Sequence, residues 1–204
     1  PVLKDLLTRG ANRSFNAVTV DSDTSTSDTL LIFATGAAAR RGAPSVTALD
    51  DPELVPFKRA LNRLLKDLAL QVVRDGEGAR KEIEIAVGGA KSSRSAKRIA
   101  LSIANSPLVK TALFASDPNW GRIIAALGRS GAAVEEEKVA LYVNDVCIME
   151  DGLPIPFFKD AIVLQMQNPE VNYTINLGLG EGSATAWGCN LSEAYVTFNS
   201  AYTT

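Results

Sequence analysis

Apolar residues recur every three or four positions between residues 52 and 74, a spacing typical of a helix with one apolar face. The apolar positions of this stretch are Leu54, Phe57, Leu61, Leu64, Leu65, Leu68 and Val72. Asp50 or Asp51 can cap such a helix, with Pro52 in its first turn. Related patterns predict further helices over residues 2–14, 92–105 and 121–127, and Ser106-Pro107 closes the second of these.

Alternating apolar and polar residues predict strands, because every second side chain of a half-buried strand faces the core. Ile83, Ile85 and Val87 share one face of a strand predicted at residues 82–87. Other strand segments are expected at residues 15–20, at residues 138–149 on both sides of Asn144-Asp145, at residues 171–177, and at residues 195–199. Helices mixed with strands predict a layered α/β (α+β) fold, and Gly88-Gly89 marks a candidate boundary between two parts of the chain.

The composition is that of an ordinary globular protein. The chain has 204 residues, of which 46% are apolar and 22% charged, enough for one large domain or two small ones. A net charge of −2 gives no field that attracts nucleic acid or an anionic membrane. No apolar run reaches the roughly 18 residues that a membrane span needs. Cys147 and Cys189 are far apart and form no C-x-x-C motif, which favours free buried thiols in a reducing cytoplasm.

Histidine is absent from all 204 residues. This excludes a Ser-His-Asp or Cys-His catalytic group, and a histidine-ligated metal, within these residues. A nucleophile used with this chain therefore needs another base. An N-terminal α-amino group is one such base, since its unperturbed pKa is about 8.

The segment from Asp21 to Thr29 is dense in Asp, Ser and Thr, and three interpretations of it remain open. The carboxylates of Asp21 and Asp23 could hold a divalent cation. They do not belong to an EF-hand, because this segment has neither the glycine nor the glutamate that an EF-hand requires at fixed positions. A strand followed by D-x-D also opens haloacid-dehalogenase-type phosphatases, with Ser25 where these usually have Thr. The interpretation that we favour is a tight buried turn in which the side chains cap backbone groups.

Three further motifs carry candidate chemistry. D-G-E-G at residues 75–78 follows a predicted helix, and it is either a solvated turn or a place where glycines let a ligand approach. D-P-N-W-G-R at residues 117–122 is interpreted as a structural turn, with a tryptophan anchor and an arginine that bridges to a carboxylate. G-L-G-E-G at residues 178–182 lacks the strand-turn-helix context of a dinucleotide site.

Several of these segments occur in the same order in the ornithine acetyltransferases, also called glutamate N-acetyltransferases. The shared segments are residues 15–29, 75–78, 106–112 (S-P-L-V-K-T-A), 117–122 and the C-terminal residues 178–204. The resemblance spans essentially the whole chain, which is identified as the β chain of a member of that family. It implies a precursor that cuts itself before a threonine upstream of Pro1. That threonine is the nucleophile, so no catalytic residue is expected within this chain.

The resemblance also implies a fold and an assembly. The fold is that of the self-cleaving, N-terminal-nucleophile-like acetyltransferases and aminopeptidases, completed by an α chain from the same precursor. Residues 1–88 are expected to form part of the catalytic core layer shared with the α chain. Residues 89–204 form a C-terminal lobe whose tail returns to the active site. The expected assembly is a cytoplasmic α2β2 heterotetramer of arginine biosynthesis.

The implied reaction is a ping-pong transfer of the acetyl group from N2-acetylornithine to glutamate, without a cofactor or metal. Acetyl-CoA as an alternative donor is left open. The family's substrate contacts correspond to Glu77, Asn199 and Thr204, although family members often have Arg where Thr203 stands. The alternatives are a D-x-D metal-dependent phosphatase and a binding subunit without catalytic function.

Overall fold

The computed structural model of the chain describes residues 2–44 and 46–201. These residues divide into two compact units. The first contains the described residues up to Ala17 and those of Asp23–Leu70, and the second contains Val18–Ser22 and the residues from Gln71 onward. Gly88 and Gly89 do not separate the units, because both lie inside a strand of the second. The roles expected of residues 1–88 and 89–204 concern a second chain and stay a prediction.

Within the described part of the first unit, the regular elements are helical. They are α1 (Val2–Arg13), a 3₁₀ turn (Phe15–Ala17), α2 (Ala37–Arg40), a second 3₁₀ turn (Pro52–Leu54) and α3 (Val55–Arg74), whose residues from Gln71 onward belong to the second unit. The Asp51 carboxylate accepts a hydrogen bond of 2.9 Å from the Glu53 N–H, which confirms one of the two predicted caps. Gly10 of α1 lies directly against the Leu65 side chain of α3, whose methyl group would have to shift if residue 10 were larger.

The apolar stripe predicted for α3 is only partly buried in this chain. Leu65 is buried as expected, on the same side of the helix as Ala69 and Val73. Four other members of the stripe keep 38–53% of their surface exposed: Phe57, Leu64, Leu68 and Val72. The periodicity thus predicted the helix correctly, but it combined a buried face with an exposed one.

The strand predicted at residues 15–20 is wrong. The Ala17 N–H donates to the Ser14 carbonyl at 2.8 Å, so Phe15–Ala17 continues in a helical turn after α1. Val18, which belongs to the second unit, forms an isolated bridge with Trp187. A run of six residues is too short for its period to distinguish a strand from a helical turn.

One sheet runs through the second unit, formed by six strands of the described residues. The strands are β1 (Glu82–Ala90), β2 (Ala140–Val143), β3 (Val146–Glu150), β4 (Leu153–Pro154), β5 (Glu170–Asn176) and β6 (Gly182–Cys189). Their spatial order is β4-β3-β2-β5-β1-β6; β1 and β5 run parallel, and the other neighbours are antiparallel. Asn144 and Asp145 reverse the chain between β2 and β3 with φ of 45° and 67°, as a two-residue hairpin loop requires.

Among the described residues of the second unit, four helices contribute side chains to one core with this sheet, and a fifth, the last along the chain, contributes none. They are α4 (Ser93–Ala104), α5 (Pro107–Phe114), α6 (Trp120–Gly128), α7 (Lys159–Gln165) and α8 (Glu193–Ala201). Helix α4 packs on β1 and β6, and its Ile99 and Ile103 share one core with the buried face Ile83, Ile85 and Val87. The predicted mixed α/β class is therefore confirmed, as are the strands at 82–87, 138–149 and 171–177. No helix among residues 2–44 and 46–201 combines the length and apolar character needed to cross a membrane.

The strand predicted at residues 195–199 is also wrong, since these residues lie in α8. Their alternation does not reflect a buried face, because no residue of α8 is buried. The side chains instead bond to carbonyls one helical turn earlier: Thr197 donates to Glu193 at 3.1 Å, and Asn199 donates to Tyr195 at 2.9 Å. Helices α5 and α7 had no counterpart in the sequence prediction. Ser106-Pro107, which lies just after the end of α4, also begins α5.

Two strand glycines provide a matched test of the packing between α4 and the sheet edge. A Cβ added at Gly182 would lie 2.6 Å from the Cα of Ser92, the residue that caps α4, whereas a Cβ at Gly88 would meet no atom within 4 Å. We expect Gly182→Ala to lower the free energy of unfolding by about 1–3 kcal/mol, because the backbone must shift. Gly88→Ala should leave it unchanged or raise it by up to about 1 kcal/mol. Urea denaturation of both variants measures the difference, and equal effects would contradict this packing.

Candidate functional site

The turn at residues 75–78 reverses the chain between α3 and β1. It closes the helix through hydrogen bonds from the Asp75 N–H to Gln71 O at 2.9 Å and from the Gly76 N–H to Val73 O at 3.3 Å. Gly78 has a φ of 69°, in the left-handed region that glycine adopts without strain. The turn therefore presents Glu77 on the surface, and its side chain is exposed.

Helix α8 brings Asn199 to this turn. The Asn199 Nδ2 donates to the Glu77 Oε2 at 2.5 Å and to the Tyr195 carbonyl at 2.9 Å. Glu77 and Asn199 are 122 positions apart in the sequence, and the structure places them side by side. Together they line an open cleft of about 520 Å³ with Asp75, Gly76, Gly78 and Phe198. Thr204, the third predicted contact, lies outside the described residues.

Two polar residues just before α8 hold it against the turn. The Ser192 Oγ donates to the Gly78 carbonyl at 2.7 Å. The Asn190 Oδ1 accepts from the backbone N–H groups of Arg80 and Lys81, both at 2.7 Å. Neither Asn190 nor Ser192 stands out in the sequence. Their roles depend on partners more than a hundred residues away, which no local pattern indicates.

A lysine side chain is buried in the interior of the second unit. Lys110 of α5 keeps 4% of its surface exposed, and its Nζ donates to the carbonyls of Val20 and Cys189, each at 2.6 Å. Burial lowers the pKa of Lys110 below that of an ordinary lysine, although the nearby Cys189 and Asp21 oppose this shift. Burial likewise raises the pKa of the Cys189 thiol, against the effect of Lys110. A lysine within the largely apolar helix α5 was the sequence signal that could have indicated this position.

The Asp-rich segment is not the buried turn that we expected, because residues 21–29 are exposed. The expected capping of backbone groups does occur: the Ser22 N–H donates to the Thr19 Oγ1 at 3.2 Å. Asp21 also has a distant partner, since its Oδ2 accepts from the Tyr195 hydroxyl at 3.1 Å. Among residues 2–44 and 46–201, no group of three or more Asp, Glu, His or Cys side chains is placed to hold a metal ion.

The D-P-N-W-G-R segment forms the start of α6. The Asn119 Oδ1 accepts from the Arg122 N–H at 3.1 Å, and its Nδ2 donates to the Asp117 carboxylate at 3.0 Å. Two details differ from the prediction. Arg122 donates to the Leu108 carbonyl and the Thr111 hydroxyl instead of a carboxylate. Trp120 is 38% exposed, so it is not a buried anchor. The structural role itself is consistent with the capping geometry.

The sequence of the chain matches one protein family along its whole length. The ArgJ family model matches residues 1–204. The chain belongs to the ArgJ family. The arginine biosynthesis bifunctional protein ArgJ of Mesorhizobium japonicum is 54% identical over 203 residues, which cover 99% of this chain and 49% of that protein. The protein of the same name from Brucella suis is 52% identical over 201 residues, with 98% and 49% covered.

A solved ArgJ structure shares the fold. The crystal structure of arginine biosynthesis bifunctional protein argJ from Bacillus halodurans is 37% identical, with a TM-score of 0.93, and the match covers 98% of this chain and 93% of that chain. By contrast, the present chain spans only about half the length of the curated ArgJ relatives it matches. These matches confirm the resemblance found in the sequence, and ArgJ membership replaces the phosphatase alternative.

The contact between the turn and α8 can be tested at Gly78. Alanine at Gly78 would adopt a left-handed backbone at a cost of about 1–2 kcal/mol. Its Cβ would also lie 2.6 Å from the Ser192 Oγ and 2.7 Å from the Tyr195 backbone nitrogen. Gly36 is the matched control, because its φ is 70° and a Cβ there would meet no atom within 4 Å. We expect Gly78→Ala to lower the free energy of unfolding clearly more than Gly36→Ala in urea denaturation. Equal losses would show that α8 does not press on the turn.

Proposed function

We propose that this chain is one part of an enzyme that transfers an acetyl group from N2-acetylornithine to glutamate in arginine biosynthesis. The pathway is inferred from the names of the ArgJ relatives. A second part of the same protein is inferred from their length, of which this chain covers about half. The observation that carries the proposal is the pair formed by Glu77 and Asn199 at 2.5 Å in an open cleft.

This pair suits two substrates whose side chains differ in charge. Ornithine ends in an ammonium group, which an exposed carboxylate such as that of Glu77 binds through a charge-assisted hydrogen bond. Glutamate ends in a carboxylate, which accepts hydrogen bonds from an amide NH2 such as that of Asn199. An acceptor and a donor placed side by side allow one cleft to receive either side chain. Both substrates share the α-amino acid end, which the rest of the site can bind in common.

The covalent steps of the proposed reaction use a threonine upstream of Pro1. Its hydroxyl attacks the acetyl carbonyl while its own amino group takes the hydroxyl proton. The amide C–N bond then breaks, ornithine leaves with that proton on its α-amino group, and the acetyl group stays on the threonine as an ester. The glutamate amine then takes the acetyl group and frees the threonine. The oxyanion hole belongs to the α chain in this proposal. The residues of this chain bind and orient the substrates, and Thr204 contributes from the C-terminal tail. The proposed assembly is a cytoplasmic α2β2 enzyme.

The proposal is tested by comparing the full-length protein, after self-cleavage, with the 204-residue chain alone. Acetylglutamate formed from N2-acetylornithine and glutamate is measured by mass spectrometry. We expect transfer by the assembled protein and none by the isolated chain, because the nucleophile is not among its residues. An assembled protein that binds acetylornithine without transferring its acetyl group would instead support a non-catalytic binding subunit. Replacing acetylornithine by acetyl-CoA in the same assay determines whether that donor is also used.

Glu77→Gln tests the role of the carboxylate in discrimination between the substrates. The variant loses a charge-assisted hydrogen bond to the ornithine ammonium, worth about 1.5–3 kcal/mol, or roughly tenfold to over a hundredfold in affinity. Formation of the acetyl-enzyme from acetylornithine should therefore weaken, while transfer to glutamate should change far less. The two half-reactions are measured separately.

Glu181→Gln is the matched control, because Glu181 is also exposed in the second unit but lies outside the cleft. It should leave both half-reactions unchanged. Equal losses in both half-reactions for Glu77→Gln, or no loss in either, would remove Glu77 from the discriminating role.

A further inference from the structure

Residues 20 and 21 have no part in the substrate contacts proposed above, yet they touch both sides of the cleft. Val20 packs under the turn that carries Glu77, since a Cβ added at Gly76 would lie 3.1 Å and 3.3 Å from the two Val20 methyl groups. The next residue, Asp21, accepts the hydrogen bond of 3.1 Å from Tyr195 on α8. Two consecutive residues thus contact the turn on one side and the helix of Asn199 on the other.

The contact with α8 continues to Asn199 itself. Tyr195 lies one helical turn before Asn199, and its carbonyl accepts from the Asn199 Nδ2 at 2.9 Å. The same Nδ2 donates to Glu77. A shift of Tyr195 therefore changes the direction in which the Asn199 amide points. The hydroxyl of Tyr195 donates to Asp21, and this side-chain contact links this turn of α8 to residues 20–21.

Lys110 fixes residues 20–21 from the interior. Its buried Nζ donates to the Val20 carbonyl and to the Cys189 carbonyl at the end of β6. The segment is thereby tied to the sheet at Val20, directly next to Asp21. Thr19 adds a second tie, because its Oγ1 hydrogen-bonds to the Asn105 Oδ1 at 2.5 Å and its N–H donates to the Trp187 carbonyl at 3.0 Å. The position of Asp21 is thus set by buried or half-buried groups on α5, β6 and the end of α4.

We propose that Val20-Asp21 is a spacer that sets the separation of Glu77 and Asn199, and that Lys110 and Tyr195 are the positioning residues that join this spacer to the sheet and to α8. The inference deepens the proposed acetyl transfer and rests on it. The spacer itself touches no substrate. It acts on substrate binding through the orientation of Asn199 relative to Glu77, so its loss should affect KM more than kcat.

Tyr195→Phe is the variant that tests the spacer, because it removes one hydroxyl and keeps the ring. Lys110→Met would remove the ammonium that donates to one buried and one half-buried carbonyl and would lower stability as well, so it is the less informative change. In the assembled full-length enzyme, Tyr195→Phe should raise KM for acetylornithine and for glutamate about tenfold, with kcat within about twofold of the wild type. Tyr142→Phe is the matched control, since Tyr142 lies on β2, which β5 and β1 separate from β6. It should leave KM unchanged.

A double-mutant cycle distinguishes positioning from general loosening of the fold. If Tyr195 acts through Asn199, then Tyr195→Phe should raise KM by less than about twofold in a protein that already carries Asn199→Ala. An unchanged KM for Tyr195→Phe alone would overturn the proposal. The same tenfold increase with and without Asn199 would overturn it too, because the effect would then not pass through Asn199.

The wild-type enzyme separates failure of this inference from failure of the proposed function. If the wild type transfers no acetyl group, the proposed function fails, and amide hydrogen exchange then tests the spacer without any substrate. Faster exchange in residues 193–201 for Tyr195→Phe, but not for Tyr142→Phe, would support the spacer. Unchanged exchange in that helix would overturn it.

Discussion

The arrangement around the cleft depends on the hydrogen bonds that the buried ammonium of Lys110 donates. An ammonium removed from water is costly unless its protons meet acceptors, and here two carbonyls at 2.6 Å supply them. One acceptor belongs to the segment of residues 18–22 and the other to the end of β6, so a single side chain joins two distant parts of the second unit. The Lys110 carbonyl also accepts from the Leu191 N–H at 3.2 Å, which ties α5 to the link before α8. The segment and the helix that meet at Asp21 and Tyr195 are therefore both attached to Lys110.

The elements that could be predicted from the sequence are those whose pattern follows a buried face. β1 alternates because Ile83, Ile85 and Val87 face the core, and the hairpin at Asn144-Asp145 has residues that accept positive φ. Residues 195–199 misled the prediction because their alternation on an exposed helix has no packing behind it. Glu77 and Asn199 were found only through the family resemblance. No local sequence pattern indicates a contact between positions 122 residues apart. Lys110, Asn190 and Ser192 could not be predicted from the sequence for the same reason.

The exposed apolar residues of the chain have a physical explanation in its length. Leu64, Leu68 and Val72 form an outward face of α3, and Phe33 is 82% exposed in a segment without regular structure. Contiguous exposed apolar surface often marks a place where another part of a protein packs. The chain spans about half the length of its curated relatives, so apolar surface of this extent is what a part of a longer protein should show. The same surface is why the periodicity of α3 predicted a broader buried face than this chain possesses.

Exposed groups of the cleft are proposed to recognise the substrates, and groups behind them hold the exposed side chains in place. The hydrogen bond between Asn199 and Glu77 is exposed, and water competes for both partners, so its net contribution to stability is small. Such a hydrogen bond can break when a substrate ammonium group binds Glu77 or a substrate carboxylate binds Asn199. The orientation of both side chains cannot come from this contact alone, and groups with partners elsewhere in the second unit have to supply it. Lys110, Asn190 and Ser192 satisfy that requirement with partners in the backbone, which stay in place whichever substrate occupies the cleft. Recognition can therefore change with the substrate while the geometry of the site is retained.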